Sequence, residues 1–173
     1  GLEGFLTLAP DGLTWVGGYP GDDVKGGGMF GKVDRMKMAE DFYAAANYVK
    51  DRPDSTGRLG ATGFCFGGGV ANSLAVRLGA DMKAVAPFYG GAPPDADVPK
   101  IKAAVLVCHG GDDKRLVDAY PALDAAVTEG GGVHEAHIFP GPGHGINSLL
   151  TPVPTNQARA SHPDTRTASE VHE

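Results

Sequence analysis

What is scarce in this chain narrows its function before any motif is read. Only two cysteines, Cys65 and Cys108, occur among 173 residues. A disulfide framework of the kind that braces secreted domains needs more, so a reducing, cytoplasmic setting is expected. Basic clusters are lacking too. The chain has 15 Lys and Arg against 21 Asp and Glu, a formal net charge of −6, and no basic block or stripe, which argues against nucleic acid and anionic membranes as partners. No apolar run approaches the roughly 20 residues that span a bilayer. Metal-binding patterns are missing as well, since His134 and His137 do not match a zinc spacing such as H-E-x-x-H.

What is present describes an ordinary globular protein. Hydrophobic residues make up 42% and charged residues 21% of the chain, and many of the 27 glycines fall in pairs and triplets that suit tight turns at strand ends. The length fits one domain, expected over residues 1–146, with 147–173 an irregular tail: that stretch holds Pro152, Pro154 and Pro163, no aromatic residue and no helical period. Gly4–Pro10 reads as a short strand and Thr14–Gly31 as a long surface loop. Val33 to Lys50 reads as a helix whose apolar face carries Met36, Ala39, Phe42, Ala46 and Val49. Arg58–Gly63, Lys83–Tyr89, Ala103–His109 and His134–Phe139 read as further strands, with helices over Gly67–Leu78 and residues 119–129. Strand and helix alternate, so a parallel sheet with helices on both faces is expected.

The informative stretch is Gly63-Phe64-Cys65-Phe66-Gly67-Gly68-Gly69, between a strand and a helix. A nucleophile elbow needs such a pattern: the reactive residue sits on a strained turn, and small residues two before and two after let strand and helix pass closely. The helix N-terminus favours a thiolate, and the N–H of Phe66 would face a developing oxyanion. A dinucleotide fingerprint fails because Asn72 stands where a glycine is required, and a phosphate loop fails because no lysine lies between Asp51 and Lys83. The bland alternative is a cysteine buried in a glycine-rich packing turn.

Two later turns supply partners for Cys65. The strand ending at His109 runs into Gly110-Gly111-Asp112-Asp113-Lys114-Arg115, and the strand ending at Phe139 runs into Pro140-Gly141-Pro142-Gly143-His144-Gly145. Either aspartate could orient a histidine, and His144 could take the thiol proton and return it to a leaving alkoxide. All these turns fall at the carboxyl ends of strands, the edge where open α/β folds bind ligands. Cys108, inside an apolar strand, reads as an inert core residue. Tyr89 could face the site, and Trp15, Tyr19, Lys25, Phe30 and Lys32 could form a lid or simply a surface.

G-F-C-F-G-G, then H-G-x-D-D-x-R, then G-x-x-H-G resemble the three signature segments of the dienelactone hydrolase family, over about residues 2–146. The cysteine is the most specific element, because most α/β hydrolases carry serine there. The resemblance implies an α/β-hydrolase-type parallel sheet flanked by helices. It implies a Cys65–His144–Asp113 triad, the D-x-R match selecting Asp113 over Asp112. It further implies hydrolysis of a small-molecule lactone or carboxylic ester through an acyl-thiol intermediate, with no cofactor and no metal. The family fold places several strands, a second oxyanion donor and a cysteine-contacting glutamate ahead of the nucleophile strand. Here only Gly4–Pro10 precedes it, and Glu3 does not fit that role, so the fold is expected to be incomplete at its N-terminus. Self-association through the unpaired edge of Gly4–Pro10 is then expected. The competing readings are a catalytically impaired fragment that binds or oligomerises and, more remotely, a flavodoxin-like binding domain.

Overall fold

The structure is a computed structural model that describes residues 4–141 and 143–146. The expected irregular tail at 147–173 lies outside the described residues. The chain divides into two compact units, Gly1–Leu59 and Gly60–Glu173.

In the first unit the expected strand at Gly4–Pro10 does not form. The stretch carries no strand assignment, and Phe5, Leu6 and Leu8 are 71%, 41% and 50% exposed. Its apolar composition suited a strand, but those side chains find little burial. The expected loop at Thr14–Gly31 is likewise corrected: it contains a 3-10 turn, Thr14–Val16, and a helix, α1, Asp23–Phe30. Asp22 caps α1 by accepting the Lys25 N–H at 2.8 Å. Asp11 organises the approach, accepting the N–H groups of Leu13 and Tyr19. The triple glycine had suggested a loop, yet Gly26 is buried and a Cβ there would lie 3.5 Å from the Tyr19 ring.

The next helix, α2, spans Arg35–Asp51, capped by Asp34, whose carboxylate accepts from Met36 and Lys37. Its buried side matches the expected one only in part: Phe42, Ala46 and Val49 are half-buried, but Ala39 is exposed. Met36 is 82% exposed, whereas Met38 is 2% exposed and packs with Leu13, Val33 and Phe42. Both candidate stripes pass through Phe42, so helical spacing alone could not choose between them.

The second unit holds the sheet. Strands β1 (Leu59–Phe64), β2 (Met82–Phe88), β3 (Ala104–Gly110) and β4 (His134–Phe139) lie in the order β1-β2-β3-β4. The β2–β3 and β3–β4 pairs are parallel, with Val85 beside Val105 and Val105 beside His134. Helix α3 (Phe66–Leu78) connects β1 to β2, and α4 (Lys114–Glu129) connects β3 to β4. This is the parallel sheet flanked by helices that the resemblance implies, although the two connecting helices of this unit do not take opposite faces as the alternation of elements led one to expect. Within the unit α3 and α4 share one face, since both line a cavity with Pro87, Val107 and His109. A sheet whose neighbours are consecutive in sequence, joined by right-handed crossovers, places its connections on one side. Side chains alternate along each strand, and the other side carries Phe64 and Phe139, 49% and 44% exposed.

Two glycines fix how closely α3 lies on the β2 turn. A Cβ built on Gly90 would meet the Gly68 carbonyl carbon at 2.3 Å, and one built on Gly68 would meet the Gly90 Cα at 2.8 Å. Gly67 has nothing within 4 Å of its Cβ direction. Gly68→Ala or Gly90→Ala should therefore destabilise by about 1–3 kcal/mol or more. Gly67→Ala, inside α3, should be neutral or stabilise by up to about 1 kcal/mol. Urea midpoints of the three variants decide the point, and equal shifts would contradict the close approach.

Candidate active site

The elbow forms where the sequence places it. Cys65 sits between β1 and α3 with φ 53° and ψ −114°, a left-handed conformation that few non-glycine residues adopt. Its N–H donates to the Phe88 carbonyl at 3.0 Å, and its own carbonyl accepts the Gly69 N–H at 3.2 Å. These bonds hold the strained turn from both sides. Gly63 is obligatory, because a Cβ there would lie 2.4 Å from the Gly67 backbone. The glycine two residues after Cys65 is not pressed in the same way. The close contact on that side belongs to Gly68 and Gly90, a pair that no local motif marks.

Asp113 and His144 arrive from the carboxyl ends of β3 and β4. The acid loop is tied to the last strand by the Gly111 N–H, which donates to the Phe139 carbonyl at 2.7 Å. Asp113 occupies the N-cap position of α4, but its side chain makes no cap bond. Instead its Oδ2 lies 2.6 Å from His144 Nδ1, and His144 Nε2 lies 3.1 Å from Cys65 Sγ. The three residues expected to form a triad are thus brought together in relay order. Asp113 is 9% exposed and the His144 side chain 43%, so the acid is shielded while the imidazole faces outward. Asp112 is exposed.

The electrostatics follow from this geometry. The His144 hydrogen bond, above all, holds the Cys65 thiol below its ordinary value, with further help from the Phe66 N–H and the Arg115 charge, while burial opposes them. His144 is raised, first by its bond to Cys65 and then by its bond to Asp113. For Asp113, burial pushes upward, but the His144 bond and the charges of His144 and Arg115 outweigh it and leave the carboxyl low. The lowered thiol and the raised imidazole both ease proton transfer from Cys65 to His144. The Phe66 N–H, expected to face an oxyanion, contributes here to holding the sulfur.

Other residues singled out from the sequence fall into place. Cys108 is 4% exposed and its thiol is raised by burial, which fits an inert core residue. Tyr89, only noted in the sequence, is 5% exposed and packs edge-on against the His144 ring at 4.8 Å between centroids. It has φ 38° at the end of β2, a second strained residue beside the site. His134 pairs with Asp124, and His137 with Glu135 at 2.8 Å. Among the described residues no His, Cys, Asp and Glu cluster could hold a metal ion, and no helix is long and apolar enough to cross a membrane.

A measurable consequence is selective alkylation. Iodoacetamide should label Cys65 at neutral pH well before Cys108, because Cys65 is exposed with a lowered thiol whereas Cys108 is buried with a raised one. Labelling of Cys65 should fall as pH drops through its depressed value. His144→Ala should move that profile upward toward an ordinary thiol. Equal labelling of both cysteines, read by peptide mass mapping, would refute the assignment.

Comparison with known proteins gives a consistent result. The family model described as the dienelactone hydrolase family matches residues 2–169. An inferred carboxymethylenebutenolidase of Salmonella typhimurium is 27% identical over 166 residues, covering 87% of this chain and 61% of that protein. The chain thus spans about three-fifths of the length of such curated relatives. Among solved structures, the dienelactone hydrolase-like promiscuous phosphotriesterase P91 from metagenomic libraries is 28% identical with a TM-score of 0.58, covering 73% of this chain and 57% of that one. An inferred dienelactone hydrolase from Klebsiella pneumoniae shares the fold at TM-score 0.58 and 21% identity, covering 75% of this chain and 58% of that one.

Proposed function

Because the chain belongs to the dienelactone hydrolase family, we propose that it hydrolyses a small-molecule lactone or carboxylic ester with Cys65 as nucleophile, His144 as base and Asp113 as orienting acid. The observation that supports this most is the relay itself, with 2.6 Å from Asp113 to His144 and 3.1 Å from His144 to Cys65. Asp113 accepts a hydrogen bond from the Nδ1–H of His144, so Nε2 presents its lone pair to the thiol. Proton transfer gives the thiolate, whose sulfur attacks the ester carbonyl. The Phe66 N–H, which bonds the sulfur at rest, then serves the resulting oxyanion. Imidazolium then returns the proton to the leaving alkoxide, leaving an acyl-thiol enzyme. Water deprotonated by His144 attacks the acyl carbon and releases the acid, restoring the thiol. Every group in the cycle is a side chain or backbone amide, so no cofactor is invoked.

Rapid mixing with p-nitrophenyl acetate tests the reading. A burst of nitrophenolate should precede steady turnover, and intact mass should show one acetyl group, mapped to Cys65. Acetylation elsewhere would defeat the nucleophile assignment. Acetylation of Cys65 with no subsequent release would favour the alternative, a module that keeps the site but only binds. A cytoplasmic setting and association of copies remain part of the proposal. With Gly4–Pro10 not forming a strand, β1 and β4 are the outer strands among the described residues, and association would use such an edge. A single monomeric species in sedimentation velocity across a wide concentration range would dismiss it.

A further inference from the structure

His144 reaches the relay from a loop. It stands outside helix and strand, between Gly143 and Gly145, and Gly145 has φ 88°. Its side chain is 43% exposed. Among the described residues two hydrogen bonds hold its ring, Nδ1 to Asp113 Oδ2 at 2.6 Å and Nε2 to Cys65 Sγ at 3.1 Å. Two such anchors leave one freedom, a rotation of the ring about the line that joins them. Only a contact off that line removes it. In the proposed cycle the Cys65 anchor is also lost once the sulfur carries the acyl group, and Nε2 must then direct a water.

Tyr89 supplies a contact off the line. Its ring packs edge-on against the imidazole, with centroids 4.8 Å apart and planes at 74°. That ring is itself fixed. Tyr89 is 5% exposed and belongs to a buried cluster with Cys108, Leu116 and Ile146. Leu116 lies three residues past Asp113 and Ile146 two past His144, so the segments that carry the acid and the base build the cluster.

The backbone is bound as firmly. The Tyr89 N–H donates to the Cys108 carbonyl at 2.7 Å, and the carbonyl of the preceding Phe88 accepts the Cys65 N–H at 3.0 Å. The following residue, Gly90, lies against Gly68 too closely for either to carry a Cβ. Under these constraints Tyr89 keeps φ 38°, a conformation that is costly for any residue but glycine. Strain held at a residue whose ring meets the base motivates a role in the site.

The geometry points to Tyr89 as the positioning residue of the site: its ring stops the imidazole of His144 from turning about the Asp113–Cys65 line and keeps Nε2 aimed at the reacting atom. The ring carries this role, not the hydroxyl. The inference rests on the Cys65–His144–Asp113 reading proposed above.

Alkylation of Cys65 by iodoacetamide against pH, on the full chain, reads the contact between His144 and the sulfur without requiring turnover. That contact is the first cause of the lowered thiol, and Arg115, which also lowers it, stays in place. Tyr89→Leu should displace the profile upward, toward that of His144→Ala. Tyr89→Phe, which keeps the ring, should superimpose on the parent. Turnover of p-nitrophenyl acetate should follow the same order, falling about ten- to hundredfold in Tyr89→Leu, as misplacement of a catalytic group costs. In the unaltered protein, nuclear Overhauser contacts should join the ring protons of Tyr89 and His144, a measurement that needs no variant to fold. A Tyr89→Leu profile matching the parent, a Tyr89→Phe profile displaced from it, or absent ring contacts would each overturn the proposal and leave the triad standing. A profile that His144→Ala itself leaves unmoved would defeat the relay, and the positioning role with it.

Discussion

Cys65→Ala should reduce ester hydrolysis to the uncatalysed background while leaving the fold intact. Cys65 is exposed, so the lost sulfur opens no cavity in the core. Alanine also inherits the strained φ of 53°, and the variant's melting temperature should change little against that of the parent. The serine variant discriminates more sharply. It keeps a hydroxyl near His144, but the pair observed here is poised by the acidity of a thiol, with the hydrogen bond from His144 as the main cause of its depression. An alcohol is far less acidic, so the same imidazole cannot store it as an anion, and Cys65→Ser should lose most turnover. Undiminished hydrolysis of p-nitrophenyl acetate by either variant would remove Cys65 from the mechanism.

The second large effect is expected at Asp113. Asparagine there can donate its amide to His144 Nδ1, which forces the proton onto Nε2, the nitrogen that lies 3.1 Å from Cys65 Sγ. Nε2 then cannot accept the thiol proton. In a serine protease the equivalent change lowers kcat about ten-thousandfold, and a loss of several orders of magnitude is expected here. Stability gives the control. Asp113 stands at the N-cap of α4 without a side-chain cap bond, and asparagine is an equally good N-cap, so α4 should persist. Asp112→Asn, altering an exposed residue, should cost little activity. If the two variants exchange behaviour, the acid is Asp112 and the loop has been read one residue out of step.

The parts of this molecule that were legible in the sequence are those whose cause is local. The apolar run at Ala104–Gly110 needs no partner to be read as a buried strand, and the elbow glycines, acid loop and histidine loop each announce themselves within a few residues. The order of those turns along alternating strands then places them at one sheet edge. Features with a distant cause were not legible. Gly68 matters because Gly90 lies against it, and nothing near either residue says so. The α1 helix persists through three consecutive glycines because Asp22 caps it and Gly26 packs beneath Tyr19. Gly4–Pro10 shows the converse: composition allowed a strand, but a strand is made by its neighbour. Helix α4 begins at Lys114, earlier than periodicity suggested, with Pro121 lying inside it rather than near its start.

The strand order has a consequence for how the protein matures. In β1-β2-β3-β4 each new strand docks beside the one made just before it, so the sheet can be extended in the direction of synthesis by short loop closures. Cys65 follows the first of these strands and His144 lies beyond the last. A ribosome-bound chain that has completed three strands carries Cys65 and Asp113 but lacks the imidazole that supplies the main depression of the thiol. Its sulfur lacks the largest of the influences that lower the thiol. That influence arrives only when His144, beyond β4, comes to lie 3.1 Å from Cys65 Sγ.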